Sequence, residues 1–123
     1  GILPLPYLAS CSPVLEEKIS DGMFKGITAS CSGFYAPQGR VLRYKLAQPG
    51  MIDLLTSFKF NNLRITNFEM ETAAMFGLAS ILGHQCCSVN VIVANRITKK
   101  HSHRQEARMK EMIESVLDKA AGI

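Results

Sequence analysis

Segments typical of β-strands alternate along this chain with segments typical of α-helices. The strand-like segments, which are rich in β-branched or alternating apolar residues, are 23–29, 41–45, 65–70 and 87–94. The helix-like segments, which have helical spacing of apolar residues or helix start and stop signals, are 12–20, 50–58, 71–82 and 104–121. Chains that alternate in this way form α/β folds, so we predict a central mixed or largely parallel sheet flanked by helices.

The size and composition of the chain fit one globular domain. It has 123 residues, 47% of them apolar and 20% charged, which excludes collagen, a coiled coil and a disordered tail. Residues 1–9 contain two prolines and predict a loop or an edge segment. The chain opens at Gly1 in the middle of a pattern, without Met and without a signal-peptide pattern. We therefore expect a processed or truncated cytoplasmic chain.

The cysteines show no spacing typical of a disulfide framework or a zinc site. They are Cys11, Cys31, Cys86 and Cys87, and no C-x-x-C pair occurs among them. We expect reduced thiols and no bound metal. The longest uncharged stretch, 72–93, is interrupted by polar residues and glycine, so it predicts a helix, a turn and a strand rather than a membrane span.

The positive charge is concentrated in residues 96–110. This segment has six basic residues and one acidic residue, a net charge of +5, against +4 for the whole chain. Such a segment binds nucleic acid, anionic lipid or small phosphates, or it is a solvated loop that leads into a surface helix. Aromatic residues are not interleaved with the basic ones, which argues against a stacking platform for single-stranded nucleic acid. We expect neither a nucleic-acid partner nor a membrane partner.

Polar residues without an evident structural role follow three predicted strands, in segments 30–40, 70–72 and 95–104. Ligands of parallel sheets bind at the carboxyl ends of the strands, so these segments are the candidate site. Gln38 offers a donor and an acceptor, and Arg40 offers a fixed fork of donors, a set that suits the edge of a pyrimidine-dione ring. Phe34 is available to pack on such a ring. The alternative is that these are solvated or ordinarily packed loop side chains.

The acidic residues Glu69 and Glu71 flank Met70 at a predicted strand-to-helix turn. One carboxylate at such a turn can accept hydrogen bonds from both hydroxyls of a cis-diol. Alternatively, Glu71 is a first-turn acid favoured by the helix dipole, Glu69 is a surface residue and Met70 belongs to the core. Asn95 and Arg96 end the last predicted strand, where Arg96 either faces the ligand crevice or lies in solvent.

Three motifs in order make the chain similar to a known family. They are G-I-T-A-S at 26–30 with G-F-Y-A-P-Q-G-R at 33–40, N-F-E-M-E-T-A at 67–73 and V-I-V-A-N-R at 91–96. With these motifs, the chain resembles the C-terminal portion of the uridine phosphorylases, a branch of the nucleoside phosphorylase family. The second motif marks the family, while the F-Y-x-P-Q-x-R loop and the strand-end Asn-Arg mark the uridine branch.

The resemblance implies the nucleoside phosphorylase fold and the reversible phosphorolysis of uridine to uracil and ribose 1-phosphate. It makes Arg40 and Glu71 the catalytic residues, because Arg40 with Gln38 would bind the uracil edge and Glu71 would bind the ribose hydroxyls. The other substrate-binding residues that it implies are Phe34, Glu69, Met70, Val93, Ala94 and Arg96. Residues 97–104 would form a lid. Inorganic phosphate is the co-substrate, and no cofactor is implied.

The resemblance also implies that part of the site lies outside this chain. In the family, the phosphate site is built from a glycine-rich loop and arginines in the first half of a longer chain, and the enzymes are dimers or hexamers. We therefore expect residues 1–123 to be the C-terminal part of a single domain, inactive alone. Two alternatives stay open at this point: a purine-directed phosphorylase or nucleosidase, and a non-catalytic fragment that binds a nucleoside or is purely structural.

Overall fold

The computed structural model describes residues 6–122, which fall into two units. The first unit comprises Phe24–His84 together with the described residues up to Ser10. The second comprises Cys11–Met23 and the residues from Gln85 onward. The predicted site residues up to Glu71 therefore lie in the first unit, and those from Val93 onward lie in the second.

The first unit is built around a three-stranded mixed sheet. Its strands, in the order β1-β3-β2, are β1 (Ile27–Ser30), β2 (Lys59–Phe60) and β3 (Leu63–Glu69). Strand β1 runs parallel to β3, with Ser30 opposite Glu69, and β2 runs antiparallel to β3. The sheet is flanked by helices, which confirms the predicted α/β fold.

Two helices of the first unit pack against this sheet. They are α2 (Met51–Ser57), which contacts β3, and α3 (Thr72–Leu82), which contacts β1. Helix α3 ends at Gly83, whose left-handed backbone, with φ of 72°, is the conformation that glycine adopts most readily. Both helices confirm the predictions at 50–58 and 71–82.

A tight hairpin joins β2 to β3, although no strand is predicted at β2. Asn61 and Asn62 both have positive φ, 47° and 66°, as in a type I′ turn. Asparagine tolerates this conformation better than most residues, and the turn sets Phe60 opposite Leu63. The adjacent asparagines were the available signal for this hairpin.

Two helices and a short hairpin make up the second unit. They are α1 (Pro13–Ile19), β4 (Ala94–Asn95), β5 (Lys100–His101) and α4 (Gln105–Ala120), with α1 packed on α4 and β4 antiparallel to β5. Ser12 caps α1 by accepting a hydrogen bond from the N–H of Leu15 at 3.2 Å, as the Ser-Pro start predicts. Near the carboxyl end of α1, the Lys119 ammonium donates to the carbonyls of Ile19 and Asp21, at 3.2 and 2.5 Å. Both helices confirm their predictions.

The buried strand predicted at 87–94 is wrong. Of its residues, only Ala94 belongs to a strand, and Ile92 and Val93 are 50% and 42% exposed. β-Branched residues form a strand only where a neighbouring strand takes up the backbone hydrogen bonds. No described strand pairs with residues 87–93, so this stretch has no regular secondary structure.

The short strand predicted at 41–45 is also wrong. These residues form bends, and the side chains of Val41, Leu42 and Tyr44 are exposed. No described strand pairs with this segment, so its alternating apolar residues have no sheet face to share and are not buried. At the start of the chain, residues 6–9 have no regular secondary structure, as predicted for 1–9, and residues 1–5 lie outside the described range.

Few apolar side chains are buried. Among the described residues, Ile19 is the only apolar side chain below a tenth exposed, at 7%. Helices α3 and α4 each show exposed apolar residues at helical spacing: Met75, Leu78 and Leu82 on α3, and Met109, Ile113 and Leu117 on α4. Apolar helix faces of this kind are ordinarily covered by other protein.

We expect Gly26→Ala to lower the free energy of unfolding by about 1–3 kcal/mol. A Cβ at Gly26 would collide with Thr66, whose β-branched side chain is stiff. Gly77→Ala is the matched control, because a Cβ there has nothing within 4 Å and alanine favours the helix. Urea denaturation measures both, and an unchanged stability of Gly26→Ala would contradict the packing of β1 on β3.

Candidate active site

The carboxyl ends of β1 and β3 meet at one edge of the sheet, and both carry polar side chains. Ser30 and Glu69 are register partners in this parallel pair. The segment 31–40 leaves the sheet after Ser30, and the segment 70–71 leads from Glu69 into α3. The two segments therefore leave the sheet side by side. They do so at the carboxyl ends of the strands, which is where ligands of parallel sheets bind.

A single 3₁₀ turn orders the loop that follows β1. The N–H groups of Gln38 and Arg40 both donate to the carbonyl of Tyr35, at 3.1 and 3.0 Å. Between them, Gly39 has a left-handed backbone with φ of 75°, and a Cβ there would lie 2.6 Å from a side chain of α2. The glycine therefore allows the backbone conformation that sets the positions of Gln38 and Arg40 on either side of it.

The Arg40 guanidinium joins the side chains of this loop. Its Nη1 donates to the carbonyl of Phe34 and, at 2.8 Å, to Oε1 of Gln38. Its Cζ lies 3.6 Å from the centroid of the Phe34 ring, a cation–π contact, and Tyr35 meets Phe34 edge to face. Gln38 is buried, whereas Phe34 is 52% exposed. The structure thus brings Phe34, Gln38 and Arg40 together.

Glu69 connects the carboxyl ends of β1 and β3 with the start of α3. Its Oε1 accepts a hydrogen bond from the Ser30 hydroxyl, and its Oε2 accepts from the N–H groups of Glu71 and Thr72, both at 2.6 Å. Ser30 Oγ also accepts from the N–H of Ala73 at 2.9 Å. Helix geometry leaves the first N–H groups of α3 without helical acceptors, and these bonds satisfy those of Thr72 and Ala73.

The hydrogen bonds keep Glu69 ionised. Burial raises the pKa of its carboxyl, but the bonds from Ser30 and from the N–H groups of Glu71 and Thr72 outweigh burial, so the pKa lies below its usual value. A negative charge at the start of a helix is itself favourable. The ionised carboxylate therefore fixes the strand-to-helix turn that carries Met70 and Glu71.

Met70 and Glu71 are exposed at this turn. The carboxylate of Glu71 accepts one hydrogen bond, from the N–H of Met70 to Oε2 at 3.2 Å, and no other described residue bonds to it. Such a carboxylate keeps most of its acceptor capacity, which suits a pair of neighbouring hydroxyls. Glu69 and Glu71 therefore have different surroundings, although the sequence presents them as a symmetric pair.

The remaining predicted site residues lie in the second unit, around β4. Val93 and Ala94 are exposed, whereas Arg96 is half-buried in the turn after the strand. The expectation that Arg96 ends a buried strand is wrong, because the strand here is a two-residue pairing with Lys100 and His101. Its predicted role with Val93 and Ala94 in binding a base stays a prediction.

Asn95 builds the turn of the β4–β5 hairpin. Its Oδ1 accepts hydrogen bonds from the N–H groups of Ile97 and Thr98, both at 2.9 Å. Lys99 follows with a positive φ of 53°. The segment 97–104, predicted as a lid, thus contains a side-chain-braced turn and β5.

Three basic residues at and near the start of α4 are paired with acidic residues of that helix. Arg108 lies 2.9 Å from Glu111, Arg104 lies 3.7 Å from Glu111, and Lys110 lies 3.8 Å from Glu114. Part of the positive charge of the basic segment is compensated locally. This pairing favours the solvated surface helix over a nucleic-acid interface.

Two further properties concern metals and membranes. Within residues 6–122, no group of three or more His, Cys, Asp or Glu side chains is placed to hold a metal ion. Over the same range, no helix combines the length and apolar character needed to cross a bilayer. None of the four cysteines forms a disulfide.

Ser30 is a residue of the candidate site that sequence reasoning misses. A single serine at a strand end forms no pattern, and its partner Glu69 lies 39 positions away. The available signal was its place as the last residue of the strand before the candidate loop. Only the parallel pairing of β1 and β3 reveals that it faces Glu69.

Comparison with known proteins now assigns the chain to a class. The model of the Phosphorylase superfamily matches residues 3–123, so the chain belongs to that superfamily. The crystal structure of a Trypanosoma brucei nucleoside phosphorylase that shows uridine phosphorylase activity is similar, with a TM-score of 0.85 and 29% identity. The match covers 94% of this chain and 43% of that one. The fold is therefore that of the nucleoside phosphorylases, as predicted.

A curated relative agrees with this assignment. The uridine phosphorylase of Thermococcus kodakarensis (strain ATCC BAA-918 / JCM 12380 / KOD1) is 40% identical over 81 residues, which cover 61% of this chain and 26% of the relative. The chain thus matches less than half the length of either relative.

We expect Glu69→Gln to lower the free energy of unfolding by about 1–3 kcal/mol at neutral pH, because an amide cannot accept all three bonds of the carboxylate. The pKa of Glu69 in the folded protein lies below its ordinary value of 4.5. The ionised carboxylate therefore contributes its full stabilisation of the fold above that ordinary value, and the contribution is lost as the pH falls through the folded-state pKa. The difference between wild type and variant should therefore shrink at about pH 3.

Urea unfolding at neutral pH and at about pH 3 measures this effect. Glu71→Gln is the matched control and should change stability little, because the Glu71 carboxylate accepts one N–H. If the cost of Glu69→Gln were the same at both pH values, the ionised carboxylate would not be the group that holds the turn.

Proposed function

We propose that the protein cleaves pyrimidine nucleosides by phosphorolysis, converting uridine and phosphate to uracil and ribose 1-phosphate. In this proposal, residues 1–123 supply the base and ribose side of the site. The observation that carries it is the cluster of Arg40, Gln38 and Phe34 beyond β1, beside a strand that ends in the Glu69–Glu71 turn. Membership of the Phosphorylase superfamily and the two uridine phosphorylase relatives support it.

Arg40 and Gln38 bind the edge of the uracil ring in this proposal. Both observed bonds of Arg40 use Nη1, and no described residue bonds to its Nη2 or Nε, so a fork of donors is available. The contact with Oε1 orients the Gln38 amide. The exposed ring of Phe34 offers an apolar surface for the base.

Glu71 holds the ribose in this proposal, and Glu69 acts as a positioning residue. The Glu71 carboxylate has acceptor capacity for the 2′- and 3′-hydroxyls, and Met70 packs beside the sugar. The oxygens of Glu69 are engaged by Ser30, Glu71 and Thr72, which explains how it contributes without a contact to ribose. The substrate contact of Glu69 that the resemblance implies is not part of this proposal and stays an untested prediction.

The reaction follows from these placements. A phosphate oxygen attacks the anomeric carbon as the glycosidic C–N bond breaks, and the electron pair of that bond passes to the uracil ring. Arg40 stabilises the negative charge that develops on the ring, which then takes a proton from solvent. The carboxylate of Glu71 lies beside the positive charge that develops on the ribosyl group. Holding both fragments in register removes much of the entropic part of the barrier.

We further propose that phosphate is bound by residues outside these 123. The match to less than half of each relative's length supports this proposal. The 123-residue chain by itself then binds uridine or uracil without turning it over. The base-binding roles of Val93, Ala94 and Arg96 remain part of the proposal.

Isothermal titration of the purified chain with uridine tests the base site. We expect Arg40→Ala to weaken binding about 10–100-fold, the effect of losing charged hydrogen bonds. Arg64→Ala is the matched control, since Arg64 is an exposed arginine of β3 away from the loop, and it should leave binding unchanged. Inosine should compete poorly. Equal losses in both variants, or preference for inosine, would contradict the pyrimidine site.

A phosphorolysis assay tests the proposal about phosphate. The chain alone should release no uracil from uridine and phosphate, because nothing in the proposed site holds the attacking anion. Turnover near that of a full-length relative would show that these 123 residues hold the phosphate site as well.

We also propose that the protein works in the cytoplasm as a homo-oligomer. The exposed apolar faces of α3 and α4 fit contacts with further protein, and the cysteines without disulfides fit a reducing compartment. Leu78→Glu on the α3 face should reduce self-association in size-exclusion chromatography. Lys59→Glu, an exposed change on β2, is the charge control, and equal elution of both variants would contradict a role for α3.

A further inference from the structure

Three of the four cysteines come together in the second unit, although Cys11 is far in sequence from Cys86 and Cys87. The two thiols lie close enough to shift each other's pKa, since Cys87 raises the pKa of Cys11 and Cys11 lowers that of Cys87. The backbones beside them also adjoin, because the N–H of Ser12 donates to the carbonyl of Cys86 at 2.7 Å and the Ser12 hydroxyl bonds to Gln85. This pairing of the two backbone segments brings Cys11 and Cys87 close together.

Neither thiol has a role in the proposed nucleoside site. Cys11 immediately precedes the cap of α1, and Cys87 lies in the irregular stretch before β4. Both side chains are half-buried, so small reagents reach them while the surrounding chain holds them in place. A pair of adjacent, reachable thiols is the arrangement from which a reversible disulfide forms.

We propose that Cys11 and Cys87 form a reversible disulfide when the protein meets a low-molecular-weight disulfide such as oxidised glutathione. The bond ties the start of α1 to the segment before β4. It is independent of the nucleoside chemistry, so it holds whether or not the protein is a phosphorylase.

The order of the steps follows from the contacts of Cys87. The Cys11 thiol and the backbone of Ser88 both act to lower the pKa of Cys87, which favours the Cys87 thiolate as the first nucleophile. Cys87 thiolate attacks one sulfur of oxidised glutathione, forms a mixed disulfide and releases one glutathione thiolate. Cys11, after losing its proton to solvent, attacks the Cys87 sulfur and releases the second glutathione. Two protein thiols are oxidised, and one glutathione disulfide is reduced to two thiols.

The surroundings make this oxidation slow at neutral pH. Burial raises the pKa of both thiols above the usual value, and the carboxylate of Glu16 on α1 raises it further. The neighbouring Cys86 thiol also raises the pKa of Cys87. Little thiolate is present at neutral pH, so we expect the rate of cross-linking to rise about tenfold from pH 7 to pH 8.

Peptide mapping of the purified chain tests the proposal. The chain is incubated with oxidised glutathione, alkylated with iodoacetamide, digested with trypsin without reduction and analysed by mass spectrometry. We expect one new species that joins residues 1–18 to residues 65–96 and weighs about 2 Da less than the two peptides together. Dithiothreitol should separate them. Full alkylation of all four cysteines, or a link through the peptide 26–40 that carries Cys31, would overturn the proposal.

Single serine variants identify the two sulfurs. Cys11→Ser and Cys87→Ser should each abolish the cross-link, whereas Cys86→Ser, the matched control one residue away, should retain it. If the cross-link were lost in Cys86→Ser but retained in Cys87→Ser, the bond would join Cys11 to Cys86, and the proposed Cys11–Cys87 disulfide would be overturned. A rate independent of pH would overturn attack by the Cys87 thiolate.

Discussion

The Glu69 carboxylate is the interaction on which the geometry of the first unit depends. It joins a strand end, the hydroxyl of Ser30 on the neighbouring strand and two N–H groups at the start of α3. A neutral side chain of the same length could not accept all of these bonds, and the helix dipole adds to the preference for charge. The position of Glu71, and with it the proposed ribose contact, is set by a neighbour two residues away.

The helices were predictable because their signals are local. The Ser-Pro start of α1, the glycine after α3 and the apolar spacing of α4 act within a few residues of the elements they define. The strands were less predictable than the helices, since a strand forms only where a neighbouring strand takes up its backbone hydrogen bonds. Residues 87–93 have the composition of a buried strand, yet no described strand pairs with them.

The grouping of Gln38 with Arg40 was predictable from the sequence, but the different surroundings of Glu69 and Glu71 were not. Gln38 and Arg40 were identified from their donor and acceptor groups, and in the structure Arg40 Nη1 lies 2.8 Å from Oε1 of Gln38. The bond of Ser30 to Glu69 and the proximity of Cys11 to Cys87 depend on pairings between distant parts of the chain, which leave no local pattern. The different surroundings of Glu69 and Glu71 likewise arise from the strand-to-helix turn, since residue type is the same at both positions.

Arg40 shows how contacts within a loop can hold the side chain of a proposed binding residue in place. A free arginine side chain loses up to about 2 kcal/mol of rotamer freedom when it is ordered. Here the carbonyl and ring of Phe34 and the amide of Gln38 already hold the guanidinium, and Gly39 fixes the backbone beneath it. The folding of the loop thus covers this entropic cost before any ligand arrives. In the proposed base site, a base that meets the remaining donors would need to order less of the protein, so more of its interaction energy would contribute to affinity.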